Sequence, residues 1–250
     1  MTCLTKKSKE ISSLDLSNQK GMMDFLRAPT VKIAEFITGV LVSEQKDWKF
    51  SAGKLVQAAI KGNLLTQLGR EIEKYRNEGR IKEDYFATHK NQASLYELLK
   101  FLDEEVPDEE LFKAIKSIFF AGISVDSDAQ NEALAYEFLQ TAKKLNGTEI
   151  LILKANFDIV RGHPIAEVQK RMEDTSNNHN RGRWRKFISI QMGYSDFDAV
   201  VRKYEAHLEE LCLITPRNED NRFVNDYEPS QKFRLTEIGF KFCEFMTKYE

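Results

Sequence analysis

Cysteine is scarce in this chain. Cys3, Cys212 and Cys243 are the only three among 250 residues, an odd number with no close-spaced pair. That excludes a disulfide framework and a zinc ligand set, and makes a reducing cytoplasm the expected compartment. Long apolar runs are missing too. The most apolar windows, IAEFITGVLV (33–42) and IFFAGI (118–123), fall well short of the ~18 residues that span a bilayer. No stretch near the start joins basic residues to an apolar segment, so neither secretion nor membrane insertion is expected. Excess charge is also absent: a net charge of -2 with 30% charged residues excludes a polybasic protein whose whole surface coats nucleic acid, so any basic face must be local.

Catalytic patterns are equally lacking. His89, His163, His179 and His207 are scattered, with no His-Glu-x-x-His, no Cys-x-x-Cys, no glycine-rich phosphate cradle and no Gly-x-Ser-x-Gly elbow. His207 and Cys212 stand five apart, but Cys212 lies in the apolar run 211–214 and is expected to be buried and inert. The acidic runs DEEVPDEE (103–110) and VDSDAQNE (125–132) are expected to be helix starts and caps, since the second lacks the turn glycine of a calcium loop. No enzyme, cofactor or metal is expected.

Helical periodicity is what the chain does have. Residues 1–18 are polar and rich in Ser and Lys and are expected to form a mobile tail. From there to residue 146 the pattern is all-helical, with Leu55, Val56, Ala59, Ile60, Leu64, Leu68, Ile72 and Tyr75 three and four apart. Leu95, Leu98, Leu99 and Leu102 mark a second helix and Leu111, Ile115, Ile118 and Phe119 a third, with Pro107 between them as stop and start. Asn146-Gly147 reads as a turn with Thr148 as the next cap, which places a second domain at 147–250.

That second domain reads as helix, glycine turn, helix, hairpin, helix. RWRKFISIQMG ends at Gly193, and Ser195 opens a helix whose inward stripe is Phe197, Val200, Val201, Tyr204, Leu208 and Leu211. CLI (212–214) and KFRL (232–235) are expected to be two short strands joined by the loop 215–231, with Thr236 capping a last helix that packs Phe242 and Phe245 over them. The order MGYSDFDAVVRKYEAHLEELCLI followed by RLTEIGFKF resembles the bacterial winged-helix pattern, though Cys212 stands where that family often has glycine. The upstream stretch SLYELLKFLDEEVPDEELFKAIKSIFFAGIS is similar to the helical part of phage abortive-infection (Abi-alpha type) proteins. The expected fold is therefore mostly α: an N-terminal helical domain followed by a C-terminal winged-helix domain with a small antiparallel β-hairpin.

The winged-helix resemblance implies a DNA-binding, regulatory role with double-stranded DNA as the partner. The alternative is a module that docks another protein or a second copy of itself, in phage defence. Charge divides the two. Residues 195–211 hold two bases, Arg202 and Lys203, against five acids, whereas 161–190 hold seven bases against three acids. The candidate nucleic-acid-binding residues are accordingly Arg181, Arg183, Arg185 and Lys186 ahead of and opening the first helix, with Arg202 and Lys203 on the outer side of the second. Trp184 is expected in the core.

Overall fold

The computed structural model describes residues 52–85, 88–173, 184–194, 198–216 and 234–250. Among them are nine helices: α1 (Ala52–Asn77), α2 (His89–Glu104), α3 (Glu109–Ile123), α4 (Ala129–Ala142), α5 (Gly147–Val160), α6 (Ala166–Glu173), α7 (Trp184–Gln191), α8 (Asp198–Glu210) and α9 (Glu237–Thr247). The tail over 1–18, the cap at Ser195, the loop over 217–231 and both Lys232 and Phe233 of the expected second strand lie outside the described residues. None of the described helices is long and apolar enough to cross a membrane. The described residues fall into two compact units, one up to Val106 with Gly122–Tyr136, the other Pro107–Ala121 with those from Glu137 on.

In the first unit the stripe on α1 buries Leu68, Ile72 and Tyr75 but leaves Ile60 exposed. Gly79, at φ 65°, ends the helix: its N–H donates to the Arg76 carbonyl at 3.0 Å and that of Arg80 to Tyr75 at 2.9 Å, the double closure that a left-handed residue permits. Lys82 Nζ donates to the buried Glu132 carboxylate at 2.6 Å. A Cβ on Gly122 would stand 2.5 Å from the Ala135 Cβ, so α3 and α4 cross here through small residues.

In the second unit, Asp108 caps α3 by accepting from the Leu111 N–H at 2.9 Å. Its other oxygen accepts from the Gly147 N–H at 2.8 Å. A side chain at Gly147 would collide with that carboxylate, which is why glycine opens α5. The cap of α5 is Asn146 and not Thr148: Asn146 Oδ1 accepts from the Glu149 N–H at 3.1 Å, and Glu149 Oε2 accepts from the Asn146 N–H at 2.9 Å. The Asn-Gly pair therefore starts a helix instead of making a turn. Phe138 packs edge-on against both Phe242 and Phe245 at 5.4 and 5.2 Å, and Ser117 Oγ joins α3 to α9 by donating to the Phe245 carbonyl at 2.8 Å.

The expected winged helix with its β-hairpin is overturned, because the described residues of this unit contain no strand. Ile214 and Leu235 make an isolated antiparallel bridge, flanked by hydrogen bonds from Thr215 N–H to the Arg234 carbonyl at 2.8 Å and from Thr236 N–H to Leu213 at 3.2 Å. Among the described residues, backbone conformation limits the pairing to this bridge. Cys212 lies at φ 57° on one side and Arg234 at φ 76° on the other, neither compatible with an extended strand, and Pro216 brings no N–H to a ladder. Phe242 and Phe245 are buried, though against Phe138 and not over a hairpin.

Thr236 does cap α9, accepting from the Gly239 N–H at 2.9 Å. Its hydroxyl donates to the Cys212 carbonyl at 2.6 Å. Gly239 lies so close to the Leu213 carbonyl that a Cβ would overlap it; the Leu-Thr-x-x-Gly sequence is thus the contact by which α9 rests on the 212–214 turn.

Candidate nucleic-acid interface

Helices α7 and α8, consecutive along the chain, form the candidate site. Gly193, at φ 82°, ends α7: its N–H donates to Ile190 at 2.8 Å and that of Tyr194 to Ser189 at 2.9 Å. The α7 stripe buries Trp184, Phe187, Ile188 and Ile190, and α8 buries Val201 and Leu208. Gln191 fixes the neighbouring loop, accepting from the Ile165 N–H at 2.9 Å and donating to the His163 carbonyl at 3.2 Å.

On α8 the inward face also carries Glu205, four residues after Val201 and three before Leu208, and it is buried. Two guanidiniums neutralise it. Arg185 Nε, from α7, donates to Oε2 at 2.6 Å, and Arg234 Nη1 engages Oε1. Arg234 is fully buried; it also pairs with Glu209, donates through Nε to the Thr215 carbonyl at 3.1 Å and covers the Trp184 ring at 4.6 Å. The acids of residues 195–211 therefore do not all face solvent. Glu205 and Glu209 belong to an internal ion cluster, Asp198 sits in the first turn of α8 where negative charge is favoured, and Asp196 lies outside the described residues.

What α8 presents outward is Ala199, Arg202, Lys203, Ala206 and Glu210, all exposed. Lys203 Nζ lies 5.0 Å from the centre of the Tyr204 ring. Of the other candidates, Arg181 and Arg183 lie outside the described residues, and Lys186 is half-buried. The structure thus brings Arg202 and Lys203 together on one open face and turns Arg185 inward. Elsewhere in the basic stretch, Arg171 is paired with Glu167 at 2.8 Å, and Arg161 lies over Phe157 at 5.3 Å.

Reading the sequence missed Arg234 and Glu205. A carboxylate at an inward stripe position was the available signal, since a charge there needs a partner; the partner was hidden because KFRL reads as strand. Cys212, expected buried, is exposed. His207 Nδ1 lies 2.6 Å from the buried Glu149 carboxylate, which already caps α5, so this histidine serves a helix contact. Among the described residues no group of three or more His, Cys, Asp or Glu is placed to hold a metal ion. Compared with family models, curated proteins and solved structures, the chain finds no match.

Proposed function

We propose that the second unit is a non-enzymatic binding module that holds the phosphate backbone of duplex DNA against the outer face of α8. One observation carries this reading. Two of the acids that make the α8 sequence look unsuited to DNA are neutralised inside the protein by Arg185 and Arg234, so Arg202 and Lys203 outweigh Glu210 on the exposed face. Ala199 and Ala206 flank the two bases, and such short side chains let a helix backbone approach a groove closely. A helix is about 10–12 Å across, matching the roughly 12 Å major groove of B-form DNA, whereas the A-form major groove is too narrow to admit side chains. Arg181, Arg183 and Lys186 extend the basic character along the chain.

The test is fluorescence anisotropy with a mixed-sequence duplex between about 50 and 200 mM salt. The unmutated chain is expected to bind with a steep salt dependence. The double variant Arg202→Gln/Lys203→Gln should flatten the log–log slope by about 1.8, two phosphate contacts at about 0.9 each. If the unmutated chain shows no binding at about 50 mM salt, the DNA reading fails. Docking of another protein or a second copy then takes its place, a reading favoured by Ile165 and Tyr194, which are 40% and 50% exposed.

A further inference from the structure

Arg185 belongs by sequence to the run of bases offered to phosphate, yet its Nε and Nη2 both engage one oxygen of Glu205. The other oxygen of that carboxylate holds Arg234. Glu205 thereby ties together α7 through Arg185, α8 through its own backbone, and the residues entering α9 through Arg234. Its side chain is 5% exposed and that of Arg185 25%. For Arg185 to grip a phosphate it would have to leave a buried carboxylate oxygen without its donors. Stripping a buried carboxylate oxygen of two charged donors costs more than a screened surface contact returns, even with Arg234 still on the other oxygen.

We propose, resting on the duplex-binding reading above, that Arg185 is a positioning residue: it sets the angle of α8 through Glu205 and does not itself hold a phosphate. Orienting a recognition element and neutralising phosphate have different signatures. A lost phosphate contact flattens the salt dependence, whereas a small tilt of α8 that leaves Arg202 and Lys203 within reach of phosphate weakens binding at an unchanged slope.

The experiment uses the full chain, a mixed-sequence duplex and salt between about 50 and 200 mM, with circular dichroism to confirm folding. Arg185→Gln is expected to lower affinity by the same factor at every salt concentration, with an unchanged slope; a slope smaller by about 0.9 would make Arg185 a phosphate ligand and overturn the proposal. Glu205→Gln separates the readings by sign. Positioning requires weaker binding, while release of a restrained phosphate ligand would tighten it. Where either variant fails to fold, Arg185→Lys decides, since lysine keeps the charge that a phosphate needs and loses the two-donor grip on Glu205; weaker binding supports positioning and undiminished binding overturns it. Absence of binding by the unmutated chain sinks the duplex reading and this inference together, whereas a slope loss in Arg185→Gln sinks the inference alone.

Discussion

The guanidinium of Arg234 lies over the indole of Trp184, its carbon 4.6 Å from the ring centre. This places a cation from the residues before α9 on the first residue of α7. The stacking closes one side of a cluster in which the same guanidinium engages Glu205, Glu209 and the Thr215 carbonyl. Arginine is required by geometry here, because a planar fork serves two carboxylates and a carbonyl at once while presenting its face to a ring.

Arg234→Met should therefore cost about 3–5 kcal/mol, the usual effect of removing one partner from a buried ion pair. Combining it with Glu205→Gln should lose less than the sum of the single effects, since the second change removes the buried charge that the first leaves to Arg185 alone. Urea denaturation followed by circular dichroism measures both, and strict additivity would show that the two side chains do not act as a unit.

The cluster also explains what was and was not legible in the sequence. Apolar periodicity exposed Leu68, Ile72 and Tyr75 on α1 and Trp184, Phe187 and Ile188 on α7, because hydrophobic spacing follows directly from helix geometry. Thr236 was equally legible as a cap. The β-hairpin was misread because KFRL has strand composition while Arg234 adopts a left-handed backbone to bury its side chain, a tertiary constraint that no local pattern encodes. The charge balance of α8 was misjudged for the same reason: pairing between positions 205 and 234 is invisible to a count along the chain.

The 212–214 turn offers two substitutions of opposite sign. Cys212 adopts φ 57°, where a side chain costs about 1–2 kcal/mol, so Cys212→Gly should stabilise by about 0.5–1 kcal/mol after the larger chain entropy of glycine is deducted. Gly239→Ala should destabilise by about 1–3 kcal/mol despite the better helix propensity of alanine, because the new Cβ overlaps the Leu213 carbonyl. Thermal melts of the two variants check the signs, and a stabilised Gly239→Ala would show that α9 does not rest on this turn.

Two carboxylates of the second unit should respond to pH in opposite directions. Burial pushes the Glu110 carboxyl up, but hydrogen bonds from Lys113 and Lys154 outweigh it and hold the group below its ordinary 4.5. A depressed folded value adds stability above pH 4.5 that is lost as pH falls through that lower value. Asp158 is raised above 3.8 by burial, only partly opposed by His163, Lys154 and Arg161, so its ionised form weakens the fold at neutral pH and protonation relieves the penalty. Glu110→Gln is therefore expected to destabilise at pH 7 with the deficit shrinking toward pH 3. Asp158→Asn is expected to stabilise at pH 7 with the gain shrinking over the same range. Urea midpoints from pH 3 to 7 test both, and parallel profiles for the two variants would refute the assignment.

Thiol labelling distinguishes the two described cysteines. Cys212 is exposed, while Cys243 is fully buried on α9, with its Sγ 3.7 Å from the Leu153 carbonyl of α5 and its thiol pushed well up by burial. Only a thiolate reaches a disulfide reagent, so Cys243 is protected both by access and by protonation. In a Cys3→Ser background, one thiol should react with an aromatic disulfide at once and the second only as fast as the α5–α9 contact opens. That slow phase should accelerate with urea and vanish when Cys243 is replaced by alanine. Two fast thiols in the native protein would mean that α9 does not seal against α5, and would remove the support on which the 212–214 turn and the Arg234 cluster both rest.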